Sequence, residues 1–488
     1  MATLSSPGIG SGLDVAGIVS KLVAVEQRPL QLLQTRATTA QSKISALGQL
    51  KAQLDTLRTA ASNLASATNW SAKSATLSDP KIGTVTATAS APSATYSLEV
   101  THLALPHRIA SGPVASGASV VGTGTLTIAV GTWNGAVHTP ASGTTPVTIT
   151  VDATNNTLEG VRDAINAAGG GVTANIVTDT SGARLVLSSA TTGSAGAIAV
   201  TAVDADGTHT DSSGLSALAY GGDTTPTAPG LKQVQAAQDA QLYLDGLKVV
   251  SSTNTVSGAI DGVTLTLAST NAGSPATLKL APDAAGASSL VNKFVAAYNA
   301  TVNMLGMLTK TDPKGVANGI LQGDQAARGI GNALRTLVTR VLPTGDLTSL
   351  SQAGIALNKD GTLAVNDAKL QAATANGTAA LAALFGAAGE TDAPDTQGIA
   401  VRLKAALDAA LGTEGSIAAR TQGLESTLKS NQREQAAMSA RITALQARLT
   451  KQYGALDTII SNMNTASSSL TQGLAQIANI SKQISNDG

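Results

Sequence analysis

Two periods of hydrophobic positions alternate along the chain. Between residues 44 and 64, apolar residues recur every three or four positions, which predicts a helix with one buried face. The pattern also covers the first 30 residues, where Pro29 predicts a break or kink because the residue before a proline avoids helical geometry. The buried stripe is predicted to comprise Ile44, Leu47, Leu50, Leu54, Leu57, Ala61 and Leu64.

The most regular pattern is a heptad repeat at the other end of the chain. A companion row three positions later is weaker, because Gln452 and Gly473 interrupt it. Such a sustained repeat is typical of a coiled coil, although two helices of an ordinary bundle give the same stripe. The repeat consists of Ile442, Leu449, Leu456, Met463, Leu470, Ile477 and Ile484.

The two ends are predicted to fold together. The C-terminal repeat is rich in Ser, Asn, Gln and Thr, so its intrinsic helix propensity is weak and it should be ordered only against partners. We therefore predict an N-terminal leg helix, residues 1–45, that pairs with residues 440–488 and is disordered in the monomer.

The middle of the chain changes to strand-like alternation. Residues 76–283 carry segments such as "TLTIAV" and "RLVLSS" between Gly, Thr and Pro clusters, with one helix predicted around 156–170. Asp245-Gly246 marks a hairpin turn. We predict a β-rich head of two subdomains, divided near residues 221–230.

The helical period returns at residue 284. Residues 46–75 and 284–439 are predicted to form a helical stalk domain with one β-hairpin at Asp360-Gly361. The predicted fold class is therefore α+β and discontinuous. A long coiled-coil or helical-bundle stalk, formed by both chain ends, carries the inserted head.

Composition excludes several functions. Lys+Arg and Asp+Glu balance at 31 each among 488 residues, and we identify no Lys/Arg stripe and only 2% aromatic residues, so nucleic-acid binding is not expected. No apolar run is long enough to insert into a membrane. The absence of cysteine excludes thiolate chemistry, and the N-terminal residues do not have the charge order of a cleaved signal peptide.

No catalytic, cofactor or metal site is predicted. Gly8, Gly10 and Gly12 lack the spacing and the preceding strand of a nucleotide-binding loop. Asp204, Asp206 and Asp211 are interpreted as a turn, not a calcium loop. The histidines, predicted to be exposed or in loops because none has metal-ligand spacing, are His102, His107, His138 and His209. We expect a structural protein, not an enzyme.

The sequence resembles the flagellar filament cap family, also called hook-associated protein 2. "GIGSGLDVAGIVSKLVAVEQRPL" is similar to the family's first segment, and "LTKQYGALDTIISNMNTASSSLTQGL" to its C-terminal signature. "FVAAYNATVNML" and "GIALNKDGTLAVN" resemble stalk segments in the same order. Residues 156–193, with Ile165-Asn166, resemble the IN motif of hook-associated proteins.

The resemblance implies a structural cap at the distal tip of the filament, where exported flagellin is folded and inserted. It implies a homo-oligomeric ring, often a pentamer, that contacts flagellin, with junction proteins and an export chaperone as further partners. It also implies extracellular localisation after type III export without cleavage. The self-assembly or filament-binding seam would comprise Leu13, Ile18, Leu22, Val25, Ile442, Leu449, Leu456, Ile459, Met463, Leu470 and Ile477.

Two alternatives stay open at this stage. Another flagellar axial or junction protein would also have paired terminal helices, but the segment "KQYGALDTIISNMN" favours the cap. A surface adhesin with a β-rich binding head would show clustered aromatic residues, whereas Trp70 and Trp133 are the only tryptophans.

Overall fold

The computed structural model describes residues 14–209, 211–222, 230–313, 317–375, 377–389 and 393–484. Long helices at both ends and a strand-rich middle confirm the predicted α+β class. The chain divides into two compact units. Unit 1 combines Met1–Ala67, Ser288–Thr374 and Ala379–Gly488, and unit 2 combines Thr68–Ala287 with Ala375–Thr378. Unit 2 therefore extends beyond the head limits predicted at 76 and 283.

The helices of the described residues include the two long terminal ones. They are α1 Val15–Ala65, α2 Ala67–Trp70, α3 Leu158–Ala168, α4 Ala284–Thr309, α5 Gln325–Val338, α6 Asp367–Ala375, α7 Ala379–Gly386, α8 Ile399–Leu411 and α9 Ser416–Ile484, with short 3-10 turns at Ser194–Gly196, Gly214–Leu218 and Pro394–Thr396.

The strands lie mostly in unit 2. They are β1 Lys73–Leu77, β2 Gly83–Ala87, β3 Ala94–His102, β4 Pro106–Ala110, β5 Gly124–Asn134, β6 Val137–Pro140, β7 Val147–Val151, β8 Val172–Asp179, β9 Gly182–Thr192, β10 Ala197–Asp204, β11 Lys232–Gln235, β12 Ala240–Leu244, β13 Leu247–Ser251, β14 Thr255–Ser257, β15 Val263–Leu267, β16 Ala276–Pro282, β17 Ile355–Leu357 and β18 Leu363–Val365. Both predicted hairpins, β12–β13 and β17–β18, are confirmed.

The core of unit 1 forms along the predicted stripe of α1. Its leucines at 47, 50, 54, 57 and 64 are fully buried, and only Ile44 remains half-buried. Helix α1 packs against α9, α8 and α7. The three-and-four spacing therefore directs one face of α1 into a bundle, as the sequence predicts.

Three aromatic rings fill the centre of this bundle. Phe294 and Tyr298 lie one turn apart on α4, and the Phe294 ring centroid is 6.2 Å from that of Phe385 on α7. Burial raises the pKa of the Tyr298 hydroxyl to about 12, with Arg335 acting in the opposite direction.

This burial predicts an alkaline instability of unit 1. Tyr298 ionises near pH 10 in the unfolded chain and near pH 12 in the folded chain. The contribution of the neutral Tyr298 hydroxyl to the free energy of unfolding is therefore complete below pH 10 and is lost as the pH rises toward 12. Tyr298→Phe should shift the alkaline unfolding midpoint upward in a circular-dichroism titration. Tyr243→Phe in unit 2 is the control, and an equal shift in both variants would contradict the prediction.

Unit 2 contains two cores in nested order. One lies between the sheet β1-β16-β3-β12-β13 and the sheet β14-β15-β2. The other is enclosed by α3 and the sheets β10-β5-β6, with β7 on β5, and β11-β4-β9-β8. The chain leaves the first core after Ala104 and returns to it at Ala240. Leu231 and β11 still belong to the second core, so the chain returns between Gln235 and Ala240, later than the predicted division near 221–230. Residues 223–229 lie outside the described residues.

Several asparagine side chains form paired hydrogen bonds with the backbone of a neighbouring segment. The Asn166 amide on α3 donates to Ala174 O at 2.9 Å, and Ala174 N–H donates to Asn166 Oδ1 at 2.8 Å. Asn254 makes the same pair of bonds with Ala104, and Asn299 on α4 makes it with Leu363 of the hairpin. Each amide satisfies a donor and an acceptor that a neighbouring strand would otherwise satisfy.

Replacing the Asn166 amide tests this role in the IN-like motif. In Asn166→Asp a carboxylate oxygen faces Ala174 O, so we expect a loss of about 1–3 kcal/mol in the free energy of unfolding. The amide hydrogen of Ala174 should also exchange faster. Asn175→Asp, at the next, exposed residue of β8, should change stability by less than about 0.5 kcal/mol. Equal effects of the two variants would exclude the two Asn166–Ala174 hydrogen bonds as the cause.

Candidate functional site

The two terminal helices pair with each other in unit 1. Val15, Val19 and Val23 of α1 are buried together with Ile442 of α9. Leu30, Met438, Leu449 and Tyr453 pack around these four residues. Because Leu33 lies beside Gln435 and the earlier Glu26 lies 3.6 Å from the later Arg441, the helices run antiparallel.

Helix α1 continues through Pro29, so of the break or kink predicted there the break is wrong, and the kink stays a prediction. The proline removes one backbone donor, but Val23 and Leu33 on either side are buried and hold the helix in place. At its start, Asp14 Oδ1 accepts the Gly17 N–H at 2.8 Å as an N-cap. One helix thus crosses the predicted limit at residue 45 between leg and stalk.

A polar layer follows the apolar cluster along the pair. Asn431 is buried in α9, and Gln435 Nε2 donates to Asn431 Oδ1 at 2.6 Å and to Leu33 O at 3.3 Å. Beyond it lies an open cleft of about 660 Å³ lined both by polar residues such as Ser42 and Gln432 and by apolar residues such as Leu308 and Ile320. The apolar cluster at the end of the pair is therefore separated from the main core of unit 1.

The predicted seam divides between the inside and the outside of this pair. Ile442 is buried and Leu449 and Ile18 are half-buried, whereas Leu22 and Val25 are 40% and 59% exposed. Leu13 lies outside the described residues. The residues of α1 that contact α9 are instead Val15, Val19 and Val23, which the sequence analysis did not select. Their four-residue spacing was visible, but "VAGIVSKLVAV" is apolar on nearly every side.

The later part of α9 exposes an apolar row. Its members, called the exposed seam, are between 41% and 67% exposed, although soluble helices usually bury such a row. The exposed seam consists of Leu456, Ile459, Met463, Leu470, Leu474, Ile477 and Ile480. It includes the predicted seam residues from Leu456 onward.

The aromatic residues of unit 2 serve its fold. Trp133 Nε1 donates to Ile198 O at 3.1 Å, and Ile198 N–H donates to His107 Nδ1 at 2.9 Å. The Trp133 ring meets His138 and Tyr220 edge-on at centroid distances of 4.9 and 6.0 Å. His107 is only 1% exposed, so the prediction of an exposed or loop histidine is wrong there. Its imidazole fixes the start of β10.

The described part of the chain holds no candidate metal site and no candidate membrane span. No group of three or more His, Cys, Asp or Glu side chains there could hold a metal ion. None of the helices in those ranges is both long enough and apolar enough to span a bilayer.

Three family models match the chain in order. The model of the flagellar hook-associated protein 2 N-terminus matches residues 11–107, the flagellin hook IN motif residues 119–191, and the hook-associated protein 2 C-terminus residues 237–465. The residues matched by the IN motif include α3 and the two hydrogen bonds between Asn166 and Ala174. These matches define a hook-associated protein of the bacterial flagellum.

Curated relatives and a solved structure agree over most of the chain. The B-type flagellar hook-associated protein 2 of Pseudomonas aeruginosa is 35% identical over 97% of this chain and 98% of the relative. The Escherichia coli K12 relative is 30% identical over 97% and 98%. The crystal structure of the flagellar cap protein FliD D1-D2-D3 domains from Escherichia coli is 29% identical, with a TM-score of 0.58, covering 78% of this chain and 99% of that one.

The chain belongs to the flagellar hook-associated protein 2 family. Capping of the filament tip is the role of this family, so the chain is a structural protein of the flagellar tip.

Proposed function

We propose that the paired terminal helices are the part of this cap that holds the filament end. The observation that carries the proposal is the exposed seam, seven large apolar side chains that are open to solvent along the later part of α9. Fully burying one such side chain against a partner contributes about 1.5–3 kcal/mol. The exposed seam is thus a large source of binding free energy that this chain does not use internally.

The same feature suits a cap that must move as subunits are added. Apolar contacts along one helix are non-directional and can be broken and remade without bond chemistry. The predicted disorder of the legs in the monomer remains a prediction, and it would let the helices order only at the filament end.

The remaining partners are proposed from the family. Copies of this chain form a ring, for which a pentamer is the expected size, and unit 2 contacts neighbouring copies as the head. Flagellin is inserted beneath this ring. Junction proteins and an export chaperone are further partners, and export follows the type III route to the extracellular tip without signal cleavage.

Labelling the cap on filaments tests this proposal. The chain has no cysteine, so Thr178→Cys at an exposed position of β8 provides one dye site in unit 2. Labelled protein mixed with flagellin filaments should appear at one end of each filament in electron or fluorescence microscopy. Label along the sides would favour an adhesin or another axial protein, and absence of label would exclude end capping by this chain.

A further inference from the structure

The outward surface of α1 combines basic and apolar residues in one stripe. Lys21, Arg28, Arg36 and Lys43 follow one another at spacings of seven, eight and seven residues. At 100° per residue they lie within about 80° of the helix circumference, on the side away from Val19. The first three of these basic residues are exposed, and Lys43 is half-buried.

Large apolar side chains stand within the same stripe. Val25 and Leu32 are 59% and 62% exposed between the basic residues, and Leu22 is 40% exposed at the margin. We call these seven residues the basic face of α1. Apolar anchors surrounded by charges of one sign form a surface suited to a partner with the opposite charge.

Helix α9 adds further positive charge beside the same segment. Its basic residues between 428 and 451 are exposed to solvent: Lys429, Arg433, Arg441, Arg448 and Lys451. Together, residues 15–45 and 428–451 carry nine basic and only two acidic side chains. One of the two acids, Glu26, already lies 3.6 Å from Arg441. The chain as a whole has 31 of each, so this local excess of positive charge is pronounced.

We propose that the basic face of α1 docks an acidic surface of a filament subunit. This inference rests on the proposed function and names the chemistry of the partner surface. A second copy would present the same basic face, and like charges repel at such a contact. Nucleic acid would not use Val25 and Leu32, and the apolar side of α1 that a membrane would require is already occupied by α9.

The electrostatic part of this contact should be sensitive to salt and charge reversal. Arg28→Glu with Arg36→Glu changes exposed residues for which the structure shows no internal contact, and glutamate preserves helix propensity. Lys310→Glu with Lys359→Glu is the matched control, because it alters net charge equally at exposed positions of unit 1 outside the paired helices. Circular dichroism checks that both variants fold.

The experiment measures occupancy of filament ends by the labelled full chain at 50 and 500 mM salt. At 50 mM, the α1 variant should bind at least about tenfold more weakly than wild type, and the control less than about twofold more weakly. Wild-type binding should weaken by about tenfold at 500 mM salt.

Contrary outcomes separate this inference from the proposed function. If wild type labels filament ends but the α1 variant labels them equally at both salts, only the docking inference is overturned. If wild type labels no ends at either salt, the proposed function fails and this inference fails with it. Equal affinity for anionic phospholipid vesicles or duplex DNA would overturn the assignment to an acidic protein surface.

Discussion

A chain that ends after Asp457 should fold normally and fail to cap filaments. The deletion removes six residues of the exposed seam, from Ile459 to Ile480, and these are between 55% and 67% exposed. Their removal takes little buried area from unit 1, while the cluster around Ile442 is retained. Thermal unfolding should therefore remain nearly unchanged, whereas flagellin should be lost from growing filament ends.

A full-length variant separates the seam from the length of the helix. We expect binding to filament ends to weaken at least a thousandfold in the triple variant Met463→Ser, Leu470→Ser and Ile477→Ser. Each substitution removes about 1.5–3 kcal/mol of the binding free energy that burial of the apolar side chain would contribute. Ser467→Ala with Ser468→Ala on the same helix should bind like wild type. Normal capping by the triple variant would refute the proposed role of the exposed seam.

Phe385→Ala should have the largest effect on stability. Phe385 is fully buried, and the Phe294 ring meets it at 6.2 Å and an interplanar angle of 65°. A Phe-to-Ala change in a core costs about 3–5 kcal/mol, which is a large share of a domain's net stability.

Calorimetry of the full chain measures this loss. In Phe385→Ala the unfolding transition assigned to unit 1 should move to lower temperature. Phe385→Leu should recover most of the lost unfolding temperature, because leucine fills more of the cavity than alanine does. Met307→Ala on α4 is the control, since Met307 is 65% exposed and should change stability by less than about 0.5 kcal/mol. Equal shifts in Phe385→Ala and Met307→Ala would exclude the aromatic cluster as the centre of unit 1.

Regular periods predicted the fold well where one face of an element is apolar. The stripe from Leu47 to Leu64 and the alternation in β5 and β9 each specify which side is buried. The start of α1 has apolar residues on most sides, so periodicity alone could not distinguish Val19 and Val23 from Leu22 and Val25. Contact with α9 determines that Val19 and Val23 are buried and that Leu22 and Val25 stay exposed.

Other features depend on residues that are distant in sequence. The expectation of no Lys/Arg stripe is wrong for α1, where Lys21, Arg28, Arg36 and Lys43 recur at helical spacing, whereas the positive charge that α9 adds lies nearly the full sequence away. Similarly, no local sequence pattern shows that the Asn254 side chain would hydrogen-bond to the Ala104 backbone, or that His107 would accept the Ile198 N–H. Such contacts follow from tertiary topology, which a single sequence does not specify.

The Asn431–Gln435 layer has a mechanical consequence for the terminal pair. Sliding α9 past α1 by one heptad would break the hydrogen bond from Gln435 Nε2 to Leu33 O, whereas the bond to Asn431 lies within α9 and would be kept. A buried amide of this kind fixes helix register at a cost in stability. A pull along the axis would therefore have to break this bond, and to separate the valines of α1 from Ile442, before one helix could slide past the other.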